Sequence, residues 1–259
     1  MSALEKHGLR NLSASQANLF TAQPSGWLLQ KLYKRYGEPS PAMLRGNAAE
    51  DGIVIGLKDL DLPVEDCIAA AHRVYDEKTA LSNHPNIDKE RNALAGYVTH
   101  GLAELRQYGT PSAFQERIEL HLEDVPVPVI GFTDLEWDNH GIIVDIKTSA
   151  RMPSTISDSH ARQGAIYFAA RKSNYDMRFA YIKPAKGRSD NRTVNCFSLT
   201  PDEAHQRLEE VRQTFIRMER FLSLSDDRDE LAALLVPDFS HWFWNSDAIR
   251  AEGRALYGW

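Results

Sequence analysis

The 259 residues are 42% hydrophobic and 25% charged, with a formal net charge of −6, which excludes a protein that coats nucleic acid by bulk positive charge but not an enzyme with a local basic track. No run approaches the roughly 20 apolar residues of a membrane span, and Met1 to Lys6 lacks the apolar centre of a signal peptide. The two cysteines, Cys67 and Cys196, stand far apart without a Cys-x-x-Cys spacing; this disfavours disulfide, zinc-finger and iron–sulfur frameworks and makes a reducing cytoplasm the expected compartment.

Ser13 or Ser15 caps a first helix through Ala17, Leu19 and Phe20. After Pro24, the residues Trp27, Leu28, Leu29, Leu32, Tyr33 and Tyr36 recur at helical spacing, which predicts a helix ending near Gly37 and the Pro39-Ser40-Pro41 breaker. Met43 to Leu57 is helical in character and places Gly46 and Glu50 one turn apart on one face, where a small residue lets another backbone or a substrate approach the carboxylate. Pro63 opens a helix to about Leu81, and Ile87 to Tyr108 reads as another. His72 lies beside an apolar stripe and reads as structural, while His84 and His100 have no partners at metal-ligand spacing.

After Gly109-Thr110-Pro111-Ser112 the period changes. Phe114 to Leu122 alternates Glu116, Ile118, Leu120 and Leu122 against Arg117, Glu119 and His121, a half-buried strand. Two further strands follow, joined by the polar turn Asp138-Asn139-His140-Gly141. The first carries Gly131 and Asp134; the second is Ile142-Ile143-Val144 running into Asp145-Ile146-Lys147. Strand alternation puts Asp145 and Lys147 on one face and Ile146 on the other, and folding the hairpin brings Asp134 toward the pair.

Ser157 to Ser159 caps a helix from His160 to Lys172, with Gln163 and Tyr167 one turn apart. Met177 to Ile182 and Val194 to Leu199 are strands. Between Arg171 and Arg192 the basic residues Arg171, Lys172, Arg178, Lys183, Lys186, Arg188 and Arg192 outnumber Asp176 and Asp190. Thr200-Pro201-Asp202-Glu203 opens a helix to about Leu222. The remainder is helical, broken at Pro237, and its Trp242-Phe243-Trp244 cluster is expected to pack a tail onto the core rather than to stack bases. This order predicts one α/β domain over residues 1–259, with N-terminal helices over 1–110, core strands and a helix over 113–199, and C-terminal helices over 200–259.

Two carboxylates and an amine converging at a strand end can bind a divalent ion and activate water. Hard oxygen donors without a His or Cys cluster select Mg²⁺ or Mn²⁺ over zinc, and the Ile146 carbonyl offers a further ligand. Such an ion lowers the pKa of bound water, and a lysine one strand step away can orient that water or offset charge developing on a phosphate.

In this order the residues resemble the PD-(D/E)xK nuclease superfamily, specifically its RecB-like exonuclease branch. The pattern of that branch is matched by Gly46 with Glu50, Glu119, Gly131 with Asp134, Asp145-Ile146-Lys147-Thr148, and Gln163 with Tyr167, over about Gly46 to Ile182. The resemblance implies a restriction-endonuclease-like core, a mixed central β-sheet flanked by helices, with N-terminal and C-terminal helical elaborations. It implies Asp134 and Asp145 as metal ligands, Lys147 as the catalytic lysine, and Gln163 and Tyr167 beside the site, with Glu119 and Thr148 in support. Glu50 stands where relatives place either a His ligand or, in lambda-type phage exonucleases, a Glu. Relatives with an iron–sulfur cluster need four cysteines, so none is expected here, and no Walker A loop supplies a helicase motor.

The sequence therefore reads as a Mg²⁺-dependent DNA exonuclease of recombination, repair or phage DNA metabolism, in the cytoplasm of a bacterial or phage-infected cell. Arg171, Lys172 and the Lys183 to Arg192 loop, with Lys186, Arg188 and Arg192, are its candidate phosphate contacts. DNA is the expected partner, with a helicase, a single-strand annealing protein or further copies of the chain as further candidates, and no membrane. The alternatives are a structure- or sequence-specific endonuclease of the same fold and a non-catalytic DNA- or partner-binding module.

Overall fold

The computed structural model describes residues 1–172, 174–185 and 192–258. In chain order it forms α1 (Ala3–Lys6), α2 (Ala14–Ala22), α3 (Pro24–Lys31), α4 (Pro41–Lys58), α5 (Val64–Thr79) and α6 (Ile87–Leu105), then β1 (Ala113–Leu120), β2 (Val129–Trp137) and β3 (Ile142–Thr148). There follow α7 (Asp158–Ala170), β4 (Asp176–Ile182), β5 (Val194–Leu199), α8 (Pro201–Leu222), α9 (Arg228–Ala233) and α10 (Asp247–Tyr257).

The five strands form one mixed sheet in the order β1-β2-β3-β4-β5. β1, β2 and β3 are antiparallel neighbours, as their alternation and tight turn lead one to expect. β4 runs parallel to β3, and that pairing needs a crossover, which α7 supplies. Helices cover both faces. Ile143, Phe179 and Tyr167 belong to the core shared with α2, α7 and α8, while Leu135, Trp137, Val144 and Ile146 belong to the core shared with α4, α5 and α6. No helix among the described residues is long and apolar enough to cross a membrane.

Most predicted elements form within a residue or two of their expected ends. Ser13 caps α2, and Thr200 and Glu203 form the capping box of α8. α3 is the exception: it stops at Lys31 rather than near Gly37, because Lys34 takes a left-handed conformation and the Arg35 amide turns back to the Leu29 carbonyl at 3.2 Å. Tyr36 is consequently left exposed rather than on the helix face. The short α1, which the sequence reading passed over, is started by a Ser2–Glu5 capping box, and its amides at Ala3 and Leu4 are satisfied from far away by Glu219 at 2.7 and 2.9 Å. In the tail, Trp244 is fully buried and Phe243 packs over Gly26, whereas Trp242 is exposed.

Candidate active site

The site is a fork in the sheet. β2 and β3 pair through Leu135–Val144, Glu136–Ile143 and Trp137–Ile142 and then part. Where the next rung would form, Asp134 Oδ2 instead accepts a hydrogen bond from the Ile146 amide at 2.7 Å. Beyond the fork, β3 continues on β4 alone, with Asp145, Ile146, Lys147 and Thr148 opposite Phe179, Ala180, Tyr181 and Ile182. The N–H and C=O of one strand residue point to the same side, so the Ile146 carbonyl also faces into the fork.

Asp145 is fully buried, and Lys147 Nζ lies 2.5 Å from its Oδ2 as an ion pair. The other oxygen of the carboxylate, Oδ1, has no donor. Lys147 also donates to Gln163 Oε1 at 3.1 Å, and Gln163 Nε2 donates to the Tyr167 hydroxyl at 2.7 Å. The helical spacing of Gln163 and Tyr167 on α7 thus becomes a short polar chain that holds the amine. Gly131 makes room for it: a Cβ there would lie 2.8 Å from Tyr167 Cε1.

Glu50 approaches from α4. Ser40 caps that helix and Pro41 starts it, and Gly46 lies against the end of β3, where a Cβ would sit 3.3 Å from Thr148 Oγ1. One turn on, Glu50 Oε1 accepts a hydrogen bond from Gln115 Nε2 of β1. Gln115 falls in register opposite Asp134 and is itself left-handed, with φ 50°. Residues four apart in a regular strand share a face, yet Ile118 packs toward α7 and Phe114 toward α4. The distortion at Gln115 switches the face, and β2 follows between Gly131 and Leu135.

The fork crowds buried carboxylates together. Burial, then the charges of Asp145 and Glu50, hold the Asp134 carboxyl well above the usual carboxylate range. Burial also raises Asp145, against the pull of Lys147. Burial followed by Asp145 and Asp51 pushes Glu50 up to about 7. Burial would lower the Lys147 amine, but Asp145 and Asp134 outweigh it and hold it above the ordinary lysine value. Lys147 offsets these carboxylates only in part, so a bound cation would relieve repulsion among them.

The buried Asp145 oxygen without a donor, together with the Ile146 carbonyl, fits an oxygen-ligated divalent ion. Among the described residues no three His, Cys, Asp or Glu side chains converge as a complete cage. An ion that keeps several waters does not need one.

The raised Glu50 carries a stability signature. Its folded pKa of about 7 exceeds the ordinary value of 4.5, so between these pH values the folded state holds the extra proton and stability falls as pH rises. In EDTA, Glu50→Gln is expected to match wild type near pH 4 and to be more stable by about 1–3 kcal/mol near pH 8, after allowance for its partial exposure. Chemical denaturation at the two pH values measures this; an equal difference at both would refute it.

A family model of the PD-(D/E)XK nuclease superfamily matches residues 11–231. The chain belongs to that superfamily. Its members generally use divalent metals, and the membership supports nuclease activity. Among solved structures, the chain resembles a "putative exonuclease" from Eubacterium rectale, with TM-score 0.58 and 14% identity over 93% of this chain and 88% of that one; at such identity the likeness concerns the fold alone. A second structure, SSO0001, has TM-score 0.33 and 16% identity over 66% of this chain and 86% of that one, too low to carry an argument. No curated protein matches the sequence.

Within the superfamily fold, the fork brings together Glu50, Asp134, Asp145, Ile146, Lys147, Gln163 and Tyr167. Three other expected groups are placed differently. Glu119 is exposed on β1 and paired with Arg117 at 2.7 Å and His121 at 3.2 Å, because Gln115, four residues earlier, is the β1 residue opposite Asp134. The Thr148 hydroxyl accepts from Arg45 Nη2 at 3.1 Å and so anchors the end of β3. Arg171 is committed to the buried Glu136 carboxylate at 2.8 Å, a pairing whose loss would cost about 3–5 kcal/mol, and is not available to phosphate.

Of the remaining basic residues, Lys183 is buried at 5% exposure, with its amide bonded to Thr193 and its carbonyl facing His100. Lys172 and Arg192 are exposed, and Lys186 and Arg188 lie outside the described residues.

Sequence reasoning missed Gln115, Arg45, His160 and Tyr181. Arg45 pairs with Glu90 at 2.7 Å, stacks 4.5 Å over Tyr97 and caps the open edge of β3 through Thr148. His160 Nδ1 lies 2.7 Å from the Tyr181 hydroxyl, and Tyr181 is the β4 partner of Lys147. Burial and the Lys147 charge lower His160 to about 4, so it is neutral at physiological pH. His160 could have been found from helical spacing, since it precedes Gln163 and Tyr167 by three and seven residues. Gln115 left no signal, because its backbone conformation is imposed by the sheet.

Proposed function

We propose that this protein is a divalent-metal-dependent deoxyribonuclease that acts as an exonuclease. The observation that carries the reading is the fork itself: a buried Asp145 oxygen without a donor, opposite Asp134 and beside an amine fixed by Gln163. Asp134, Asp145 and the Ile146 carbonyl would hold Mg²⁺ or Mn²⁺, with Glu50 on the α4 side. When bound, the ion would supply Lewis-acid activation of water and phosphate.

The protein's own groups do the rest. Lys147 is protonated and directed by Asp145 and Gln163, so it can hold the attacking water or offset negative charge on the phosphate oxygens without reorganising. Tyr167 stays protonated, because burial and the Asp145 charge raise its phenol, and it fixes the Gln163 amide. Asp134 keeps the open edge of β3 in place through the Ile146 amide. The exonuclease reading is preferred to an endonuclease because the order Gly46 with Glu50, Gly131 with Asp134, Asp145-Ile146-Lys147 and Gln163 with Tyr167 resembles the RecB-like exonuclease branch. The intact Asp134, Asp145 and Lys147 set speaks against a non-catalytic module.

End-labelled linear DNA, nicked circles and closed circles, each with Mg²⁺, with Mn²⁺ and with EDTA, test the proposal. Linear DNA is expected to be shortened from its ends only when metal is present, and closed circles to survive. Cutting of closed circles would replace the exonuclease reading by the endonuclease one, and metal-independent cleavage would remove the metal centre.

A further inference from the structure

Among the described residues, the large hydrophobics exposed to solvent lie on helices, turns or loops, with one exception in the sheet, Phe132 of β2, which is 51% exposed. It stands two residues before Asp134, about 7 Å along an extended strand. Its register partner is Arg117 of β1, also half exposed, whose guanidinium is held by Glu119 at 2.7 Å. Gly131 and Ile118 face Tyr167 on the α7 side, so alternation directs Phe132 and Arg117 to the opposite face.

Further along the sheet that opposite face is covered by α4, whose Glu50 reaches β1 at Gln115. Phe132 and Arg117 occupy the uncovered stretch that begins where this contact ends. An exposed ring on the strand that carries Asp134, two residues from the fork, offers its face to a base, and stacking of this kind tolerates any sequence because every base has a π-face. The surrounding charge is mixed, with Glu116, Glu119 and Arg117 all exposed, so stacking rather than net charge must supply the grip.

Resting on the nuclease reading, we infer that Phe132, with Arg117 beside it, is the stacking platform for an unpaired base next to the scissile phosphate. The preferred substrate is then a single-stranded or frayed DNA end. A paired terminal base would have to leave its stack to reach the ring.

The test uses full-length protein with Phe132→Ala, Phe132→Trp and Arg117→Ala. Each is made in the wild-type background for cleavage and in the Asp145→Asn background for binding, so that the strand survives titration. The probes are a single-stranded oligonucleotide with 2-aminopurine near its end and a blunt duplex carrying the same label. Phe132→Ala is expected to weaken single-strand binding by about tenfold and to remove the fluorescence quench, while Phe132→Trp retains both. Arg117→Ala should weaken binding less, and the blunt duplex should change little.

Binding and quenching by Phe132→Ala equal to its parent would overturn the inference, as would an equal loss on single strand and blunt duplex. The nuclease reading is judged separately by whether the wild type cuts DNA. Cleavage that is indifferent to Phe132 leaves that reading standing without the platform, and a Phe132-dependent quench without cleavage does the reverse.

Discussion

Asp145→Asn is expected to reduce cleavage of linear DNA by about 10³-fold or more while leaving the protein folded. The substitution keeps the shape of the fully buried side chain and removes the charge that would face a divalent ion. The fold should tolerate it, because Asp134 and Glu50 stay beside Lys147 and lose the Asp145 charge that helps to raise both, so they ionise more readily. A second readout separates loss of the metal centre from loss of structure. Saturating Mg²⁺ or Mn²⁺ at about 100 times its dissociation constant should stabilise wild type by about 2.7 kcal/mol and the variant by little. A variant that cuts at the wild-type rate, or that gains the same metal-dependent stability, would remove Asp145 from the site.

Gly131→Ala should damage the site from a position that carries no functional group. The added Cβ would lie 2.8 Å from Tyr167 Cε1 and 3.3 Å from Ile118 Cδ1, and both neighbours are buried rings or chains without room to yield. Overpacking of this kind costs about 1–3 kcal/mol. Because Tyr167 holds Gln163 and Gln163 holds Lys147, displacing the ring should also lower kcat, on the order of tenfold to a hundredfold, by misplacing the amine. A double-mutant cycle makes the cause testable: in a Tyr167→Ala background the stability cost of Gly131→Ala should largely disappear. An undiminished cost there would show that the glycine serves the strand and not the approach of the ring.

Both expectations depend on contacts that the motif pattern suggested but could not show. Gly-x-x-Asp and Gln-x-x-x-Tyr looked like separate signals, and the structure joins them where Tyr167 packs on Gly131. The Gly46 to Glu50 spacing suggested close approach by some backbone or substrate; the group that approaches is the side chain of Thr148. Glu119 read as a member of the constellation because its order fitted, and Arg171 as a phosphate contact because of its charge. Each had a nearer partner, Arg117 for one and Glu136 for the other, and a short ion pair decides where a charged side chain is spent.

What the sequence determined by itself is whatever local periodicity sets. Alternation placed Asp145 and Lys147 on one face of β3, helical spacing placed Gln163 beside Tyr167, and turn residues closed the β2–β3 hairpin. Tertiary structure alone decided that β2 and β3 part at Asp134, that a left-handed Gln115 reaches Glu50, and that Arg45 caps the freed edge of β3. It also buried Lys183, which a count of charges had put on a surface track. The physical reason is that register, burial and the choice of ion-pair partner arise from contacts between segments far apart in the chain, and neighbouring residues carry no record of them.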